Sequence, residues 1–100
     1  MTDKLARLSA AGIAVIPADL EKHHILERGG FIALVERTAD GDFGRSGTAG
    51  LLTEKGLAPL VWRRGIAFFV ARGFEAAASE LQIEALRTFQ RDLDGILADS

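Results

Sequence analysis

Cysteine and tyrosine are absent from this sequence. Without cysteine there is no disulfide framework, no thiolate zinc site and no iron–sulfur cluster, and a cytosolic location is the expectation. The nucleophiles open to covalent catalysis shrink to Ser9, Ser46, Ser79, Ser100 and a few threonines. His23 and His24 are the only imidazole bases. Long hydrophobic runs are lacking too. "IAFFVA" and the proline-broken "AVIPA" fall far short of the ~20 residues a membrane-spanning helix requires. The N-terminal "MTDKLARLS" mixes acid and base and has no apolar centre, so it does not read as a secretory signal. Excess positive charge is missing as well: the formal net charge is −2, which argues against nucleic acid as the main partner.

What is present is globular composition. Hydrophobic residues make up 48% of the chain, too many for a disordered segment. A length of 100 residues implies one domain over 1–100. The charge is unevenly distributed: residues 1–27 sum to −1, residues 28–72 to +3 and residues 73–100 to −4. A basic middle and an acidic last third can complement each other within one fold or between two copies.

Local signals then divide the chain. "TDKLARLSAAG" predicts a short helix, capped by Thr2 or Asp3, with Leu5 and Leu8 on one face and Gly12 as a left-handed stop. "IAVIP" reads as extended and ended by Pro17. The stretch 18–28 is open to a helix or a strand, but Leu20, Ile25 and Leu26 do not share a helical face. Strands "HHILER" and "FIALVER" joined by a Gly29-Gly30 turn are the preferred reading. "APLVWRRGIAFFVAR" predicts a second hairpin about Arg64-Gly65, with Arg63 opposite Ile66, Trp62 opposite Ala67, Val61 opposite Phe68 and Leu60 opposite Phe69. In "SELQIEALRTFQRDLDGILAD", Ser79 and Gln82 have capping-box spacing. Ile83, Leu86, Phe89, Leu93, Ile96 and Leu97 recur at three- and four-residue steps, the pattern of a long amphipathic helix.

These pieces predict an α+β fold: an antiparallel sheet of about four to five strands, built as a meander of hairpins, packed by a long C-terminal helix and a short N-terminal helix. In the second hairpin, one face carries Leu60, Trp62, Ala67, Phe69 and Ala71, and the other Val61, Ile66, Phe68 and Val70. Strands apolar on both faces call for cover on both. The long helix covers one, and the short helix has only Leu5 and Leu8 to offer. A homodimer is therefore expected, with wrapping by the N-terminal segment as the monomeric alternative.

Three stretches invite a reading as sites. In "ADGDFGRSGTAG" glycine falls at every third position: Gly41, Gly44, Gly47 and Gly50. Read as a Gly-rich loop over 41–50 leading into a helix "TAGLLTEK" capped by Thr48 and ended by Gly56, it forms an anion site with Arg45, Ser46 and Thr48. The spacing matches neither a P-loop nor a dinucleotide fingerprint nor a nucleophile elbow, and the plainer reading is a connecting loop. Secondly, Asp19, His23 and Glu27 align at four-residue steps if 18–28 is helical, a metal-binding set that a strand would disperse. No metal site or cofactor is therefore expected, and His24 is left as a ligand-binding or general-base candidate. Thirdly, Arg63, Arg64 and Arg72 near Trp62, Phe68 and Phe69 suggest a basic–aromatic platform for single strands. "RGFEAAAS" leaves the corresponding RNA-binding motif at Glu75, and its plainer reading is turn arginines paired with acids of the C-terminal helix.

The functional expectation is a small binding or accessory module in the cytoplasm, homodimeric and without catalytic machinery. It is not a membrane protein, and it takes a small anionic ligand or a protein partner. The alternative is an anion-binding protein or enzyme that uses Arg45, Ser46, Thr48 and His24.

Overall fold

The computed structural model describes residues 2–17 and 20–98, with backbone alone for residues 2 and 3. The proposed caps Thr2 and Asp3 therefore cannot be followed through their side chains, and Asp19 and Ser100 lie outside the described residues. The order of elements is α1 (Thr2–Ala10), β1 (Ala14–Ile16), β2 (His23–Arg28), β3 (Phe31–Arg37), β4 (Phe43–Thr53), β5 (Gly56–Arg63), β6 (Ile66–Ala71), β7 (Phe74–Ala77) and α2 (Glu80–Ala98). The fold is α+β. Its sheet holds seven antiparallel strands in chain order, more than the four or five expected.

The local signals act as their chemistry demands. α1 ends in a paired lock: the Gly12 N–H donates to the Ser9 carbonyl and the Ile13 N–H to that of Leu8, with Gly12 at φ +77°. This is the Schellman arrangement, and its usual hydrophobic clasp is present because Leu8 and Ile13 are both buried in the core. Gly29 and Gly30 (φ +63° and +89°) make the two-residue turn between β2 and β3, and Arg64 and Gly65 (φ +52° and +78°) that between β5 and β6. Two positive φ values in succession define type I′ turns, whose twist matches that of the strands they join. The β5–β6 register is Leu60–Phe69, Val61–Phe68, Trp62–Ala67 and Arg63–Ile66, as the alternation requires. At the start of α2, the Gln82 N–H donates to Ser79 Oγ at 3.1 Å, and the Ser79 N–H donates to Gln82 Oε1 at 2.9 Å, a complete capping box.

The glycine-rich stretch differs from the expectation. It is neither a loop over 41–50 nor the start of a helix; Phe43 through Thr53 is strand β4, and the turn before it spans only residues 38–42. Ala33 pairs with Ala49, Val35 with Ser46 and Arg37 with Phe43, so two residues of β3 twice span three of β4. These are two β-bulges, which bend and twist a strand. Gly44 and Gly47 sit in the two bulged steps, where a Cβ would come within 3.1 Å of Glu36 Cβ and 3.2 Å of the Leu34 carbonyl oxygen. At Gly50 a Cβ would lie 2.3 Å from the Ala58 carbonyl oxygen, so β5 passes β4 there at a distance only glycine permits. Gly41 serves the turn at φ +84°. The threefold spacing thus marks one turn, two bulges and one crossing.

Both helices lie on the same side of the sheet. α2 runs along β4 and α1 packs on α2. The core gathers Leu8 from α1 and Leu86, Phe89, Leu93 and Leu97 from α2 onto Leu26, Phe31, Ala33, Val35, Ala49, Ala58 and Phe69 of the sheet. Leu5, the second apolar residue expected to help, is exposed. Arg28 at the end of β2 fastens the layers. Its Nη1 donates to the Ala11 carbonyl at 3.1 Å and to Asp92 Oδ2 of α2 at 3.0 Å, and its guanidinium lies 5.5 Å from the Phe89 ring centre.

The register assigns the remaining strand residues to the opposite face. Across it run Ile16, Ile25, Ile32, Leu34, Leu52, Leu57, Pro59, Val61, Ile66, Phe68, Val70 and Ala77. Among the described residues no helix crosses this side, since the buried residues of α1 and α2 belong to the other. Ile32 is buried at 5% exposure and most of the others are half-buried, while Leu52 and Ile66 stand 48% and 57% exposed.

Candidate functional site

Two features of the surface stand out: a groove at the N-terminal half of β4 and the helix-free face of the sheet. The groove forms because the bulges bend β4 beneath the C-terminal half of α2, and it encloses about 650 Å³. Arg45 and Ser46 line it together with Lys4 of α1, Glu36 of β3, and Phe43, Asp94 and Leu97. Ser46 Oγ donates to Asp94 Oδ1 at 2.6 Å. Lys4 Nζ donates to the Phe43 carbonyl at 3.1 Å, and the Arg45 N–H approaches Glu36 Oε1 at 3.4 Å. Two cations therefore face two carboxylates. The end of α2 at the rim is its C-terminus, which carries the negative end of the helix dipole. A small polar ligand with both charge signs suits this lining better than a bare phosphate does.

The other expected residues are placed apart. Thr48 lies in a separate cleft of about 400 Å³, where β5 leaves β4 beneath Leu86, Arg87 and Gln90 of α2. His24 is half-buried, with its ring 4.4 Å from that of Phe43 and its Nε2 3.2 Å from the Gly41 carbonyl, so it braces the β3–β4 turn. The structure thus joins Arg45 to Ser46 and separates both from Thr48. Lys4, Glu36 and Asp94 were not legible in sequence because they reach the groove from three distant segments.

His23 and His24 fall on successive positions of β2, hence on opposite faces. Among the described residues no group of three potential metal ligands assembles. The arginines and aromatics of the second hairpin are also divided. Phe69 is fully buried, Trp62 is on the helix side, and Phe68 is on the open face. Arg63 lies 5.6 Å from the Phe68 ring centre and pairs with Glu75 of β7 at 2.8 Å, not with an acid of α2.

No helix of the described chain is long and apolar enough to cross a membrane. No family model, no curated protein and no solved structure matches the chain.

Proposed function

We propose that the chain is a non-catalytic interaction module that pairs with a second copy through the helix-free face of its sheet. The observation that carries this reading is the apolar row from Ile16 to Ala77 on a side that neither helix reaches. Fully burying a side chain of this size contributes about 1.5–3 kcal/mol, and Leu52 and Ile66, 48% and 57% exposed, have most of that left to gain while the half-buried members of the row have part of it. Soluble monomers rarely keep a continuous patch of this kind open, and a twofold pair is the commonest way to close one. The groove at Arg45 and Ser46 lies on the helix side and stays free for a ligand when the open faces meet.

Sedimentation velocity at micromolar concentration tests the reading. Twice the chain mass of 10.7 kDa, about 21 kDa, is the expected species. Ile66→Asp, at an exposed position of the open face, should shift it to monomer without loss of fold. A wild-type chain that sediments at 10.7 kDa throughout overturns the proposal.

A further inference from the structure

We propose that the opening between β4 and the second half of β5 receives a short extended peptide as an added strand, one with an apolar and an acidic side chain two positions apart. This contact lies apart from the helix-free face and does not depend on the pairing proposed above.

The opening follows from the register. β4 and β5 leave the Glu54-Lys55 turn with Thr53 opposite Gly56, and their pairing ends at Gly50–Pro59. β5 pairs with β6 from Leu60 to Arg63. It thus gives its first half to β4 and its second half to β6. Hydrogen-bonded partners alternate along an antiparallel pair. The two-residue Arg64-Gly65 turn makes Arg63–Ile66 such a pair and Val61–Phe68 the next. Pro59 stands at the third place, where it has no N–H to offer β6. The same alternation turns the backbone groups of Leu60 and Trp62 the other way, toward β4. No residue of β4 pairs with either. Both bulges of β4 lie on the Phe43 side of Gly50, and the bend they impose carries this half of the strand away from β5. Among the described residues, β4 from Phe43 to Ala49 has β3 along one edge and no strand paired along the other. Such edges are what an extended peptide pairs with, while its alternate side chains fill the pockets beside them.

The lining says which peptide fits. The cleft here measures about 400 Å³, and α2 closes it with Leu86, Arg87 and Gln90. Trp62 borders the cleft and is 54% exposed, although it lies on the helix side of β5. A strand added beside β5 sets an apolar side chain against this indole as a cross-strand neighbour. The lining holds one cation, Arg87, and no carboxylate. Arg87 is exposed, and among the described residues no acid pairs with it. An acidic side chain on the same face of the added strand, two positions on and about 7 Å away, meets that guanidinium. Charge complementarity therefore selects an acidic peptide over a basic one.

Trp62 is the sole tryptophan, so its emission reports on the opening directly. The probe is the blocked pentapeptide acetyl-Thr-Ile-Thr-Glu-Thr-amide. Titration should move the emission to shorter wavelength, shift the amide signals of Thr48 and Trp62, and saturate below about 1 mM. Glutamine in place of the peptide's glutamate should weaken binding about tenfold. Arg87→Ala, at an exposed helix position, should weaken the parent peptide by the same factor and remove the difference between the two. A peptide methylated at every backbone nitrogen should not bind. Silence of the emission and amide signals at about 1 mM peptide, or equal binding of the methylated form, overturns strand addition. Equal binding of the glutamate and glutamine peptides by the wild type overturns the acidic specificity. The Ile66→Asp chain should bind the peptide as the wild type does, so failure of the pairing and failure of this site are told apart.

Discussion

Arg28 and Asp92, 64 residues apart in sequence, meet at 3.0 Å where the end of β2 comes up against α2. The contact is partly sheltered, with the two side chains 25% and 38% exposed. Arg28 also serves the Ala11 carbonyl, one of the acceptors left over at the end of α1, and it covers the Phe89 ring. One side chain thereby holds both helices to the sheet. Arg28→Ala should cost about 2–3 kcal/mol in urea unfolding. Arg28→Lys should recover less than half of that, because an ammonium lacks the planar fork that reaches two acceptors while lying on a ring. Asp92→Asn should cost about 1 kcal/mol or less, as expected of a partly solvated pair. Equal losses for Arg28→Ala and Asp92→Asn would refute the view that Arg28 does more than pair with Asp92.

The four glycines of the repeated stretch do different jobs, so their substitutions should differ in rank. Gly50→Ala brings a methyl group against backbone, at 2.3 Å from the Ala58 carbonyl oxygen, and neither strand can yield without moving the sheet. A loss of about 2–3 kcal/mol is expected. Gly47→Ala meets a single carbonyl oxygen at 3.2 Å, a clash that a shift of a few tenths of an ångström relieves, and it should cost about 1 kcal/mol or less. A denaturation series that ranks Gly47→Ala above Gly50→Ala would contradict the crossing described here.

These glycines also show where sequence reasoning ran out. Elements announced by a local pattern were legible: the Gly-Gly and Arg-Gly turns, the register between Leu60 and Phe69, the Ser79–Gln82 cap and the stripe on α2. β4 was not, because a strand is recognised by alternation and by residues that fill a pleat, whereas Gly44, Gly47 and Gly50 leave it empty and each bulge resets the alternation. β7 is only four residues long and half alanine, with no apolar run to reveal it. Arg45 and Ser46 could be picked out within their own segment. The groove around them could not, since Lys4 and Asp94 are brought there by the packing of α1 and α2, and Glu36 by the bulged pairing of β3 with β4.

Arg64 is the one described residue other than glycine with positive φ, at +52°. The first central position of a type I′ turn favours asparagine, whose short polar side chain tolerates this region at lower cost. Arg64→Asn should therefore raise stability by about 0.5 kcal/mol, read as a shift of the thermal midpoint. Arg64→Val should lower it, because a branched Cβ crowds the backbone in that conformation. A loss with asparagine would mean that the Arg64 side chain makes a contact worth more than the relief at the turn.

Among the described residues, Asp40 in the β3–β4 turn is the one acid whose pKa is displaced. Thr38 Oγ1 donates to Asp40 Oδ1, and backbone N–H groups of Asp42 and of Asp40 itself add to the effect, so the carboxylate is favoured and its pKa falls below the ordinary 3.8. A group whose folded pKa is depressed adds stability above its ordinary value and loses that stability as pH falls through the folded one. The window is therefore below about pH 4. Because Asp40 is fully exposed, the contribution is small, and the titration itself is the sharper measurement. Carboxyl-carbon NMR should place the Asp40 midpoint below 3.8 in the wild type and return it toward that value in Thr38→Val. The same substitution removes the acceptor for the Asp42 N–H, so the turn should loosen and amide exchange at Asp42 should quicken. An unchanged Asp40 midpoint in Thr38→Val would assign the shift to the backbone donors alone. Faster exchange at Asp42 would still show that the threonine holds the turn from which β4 begins its first bulge.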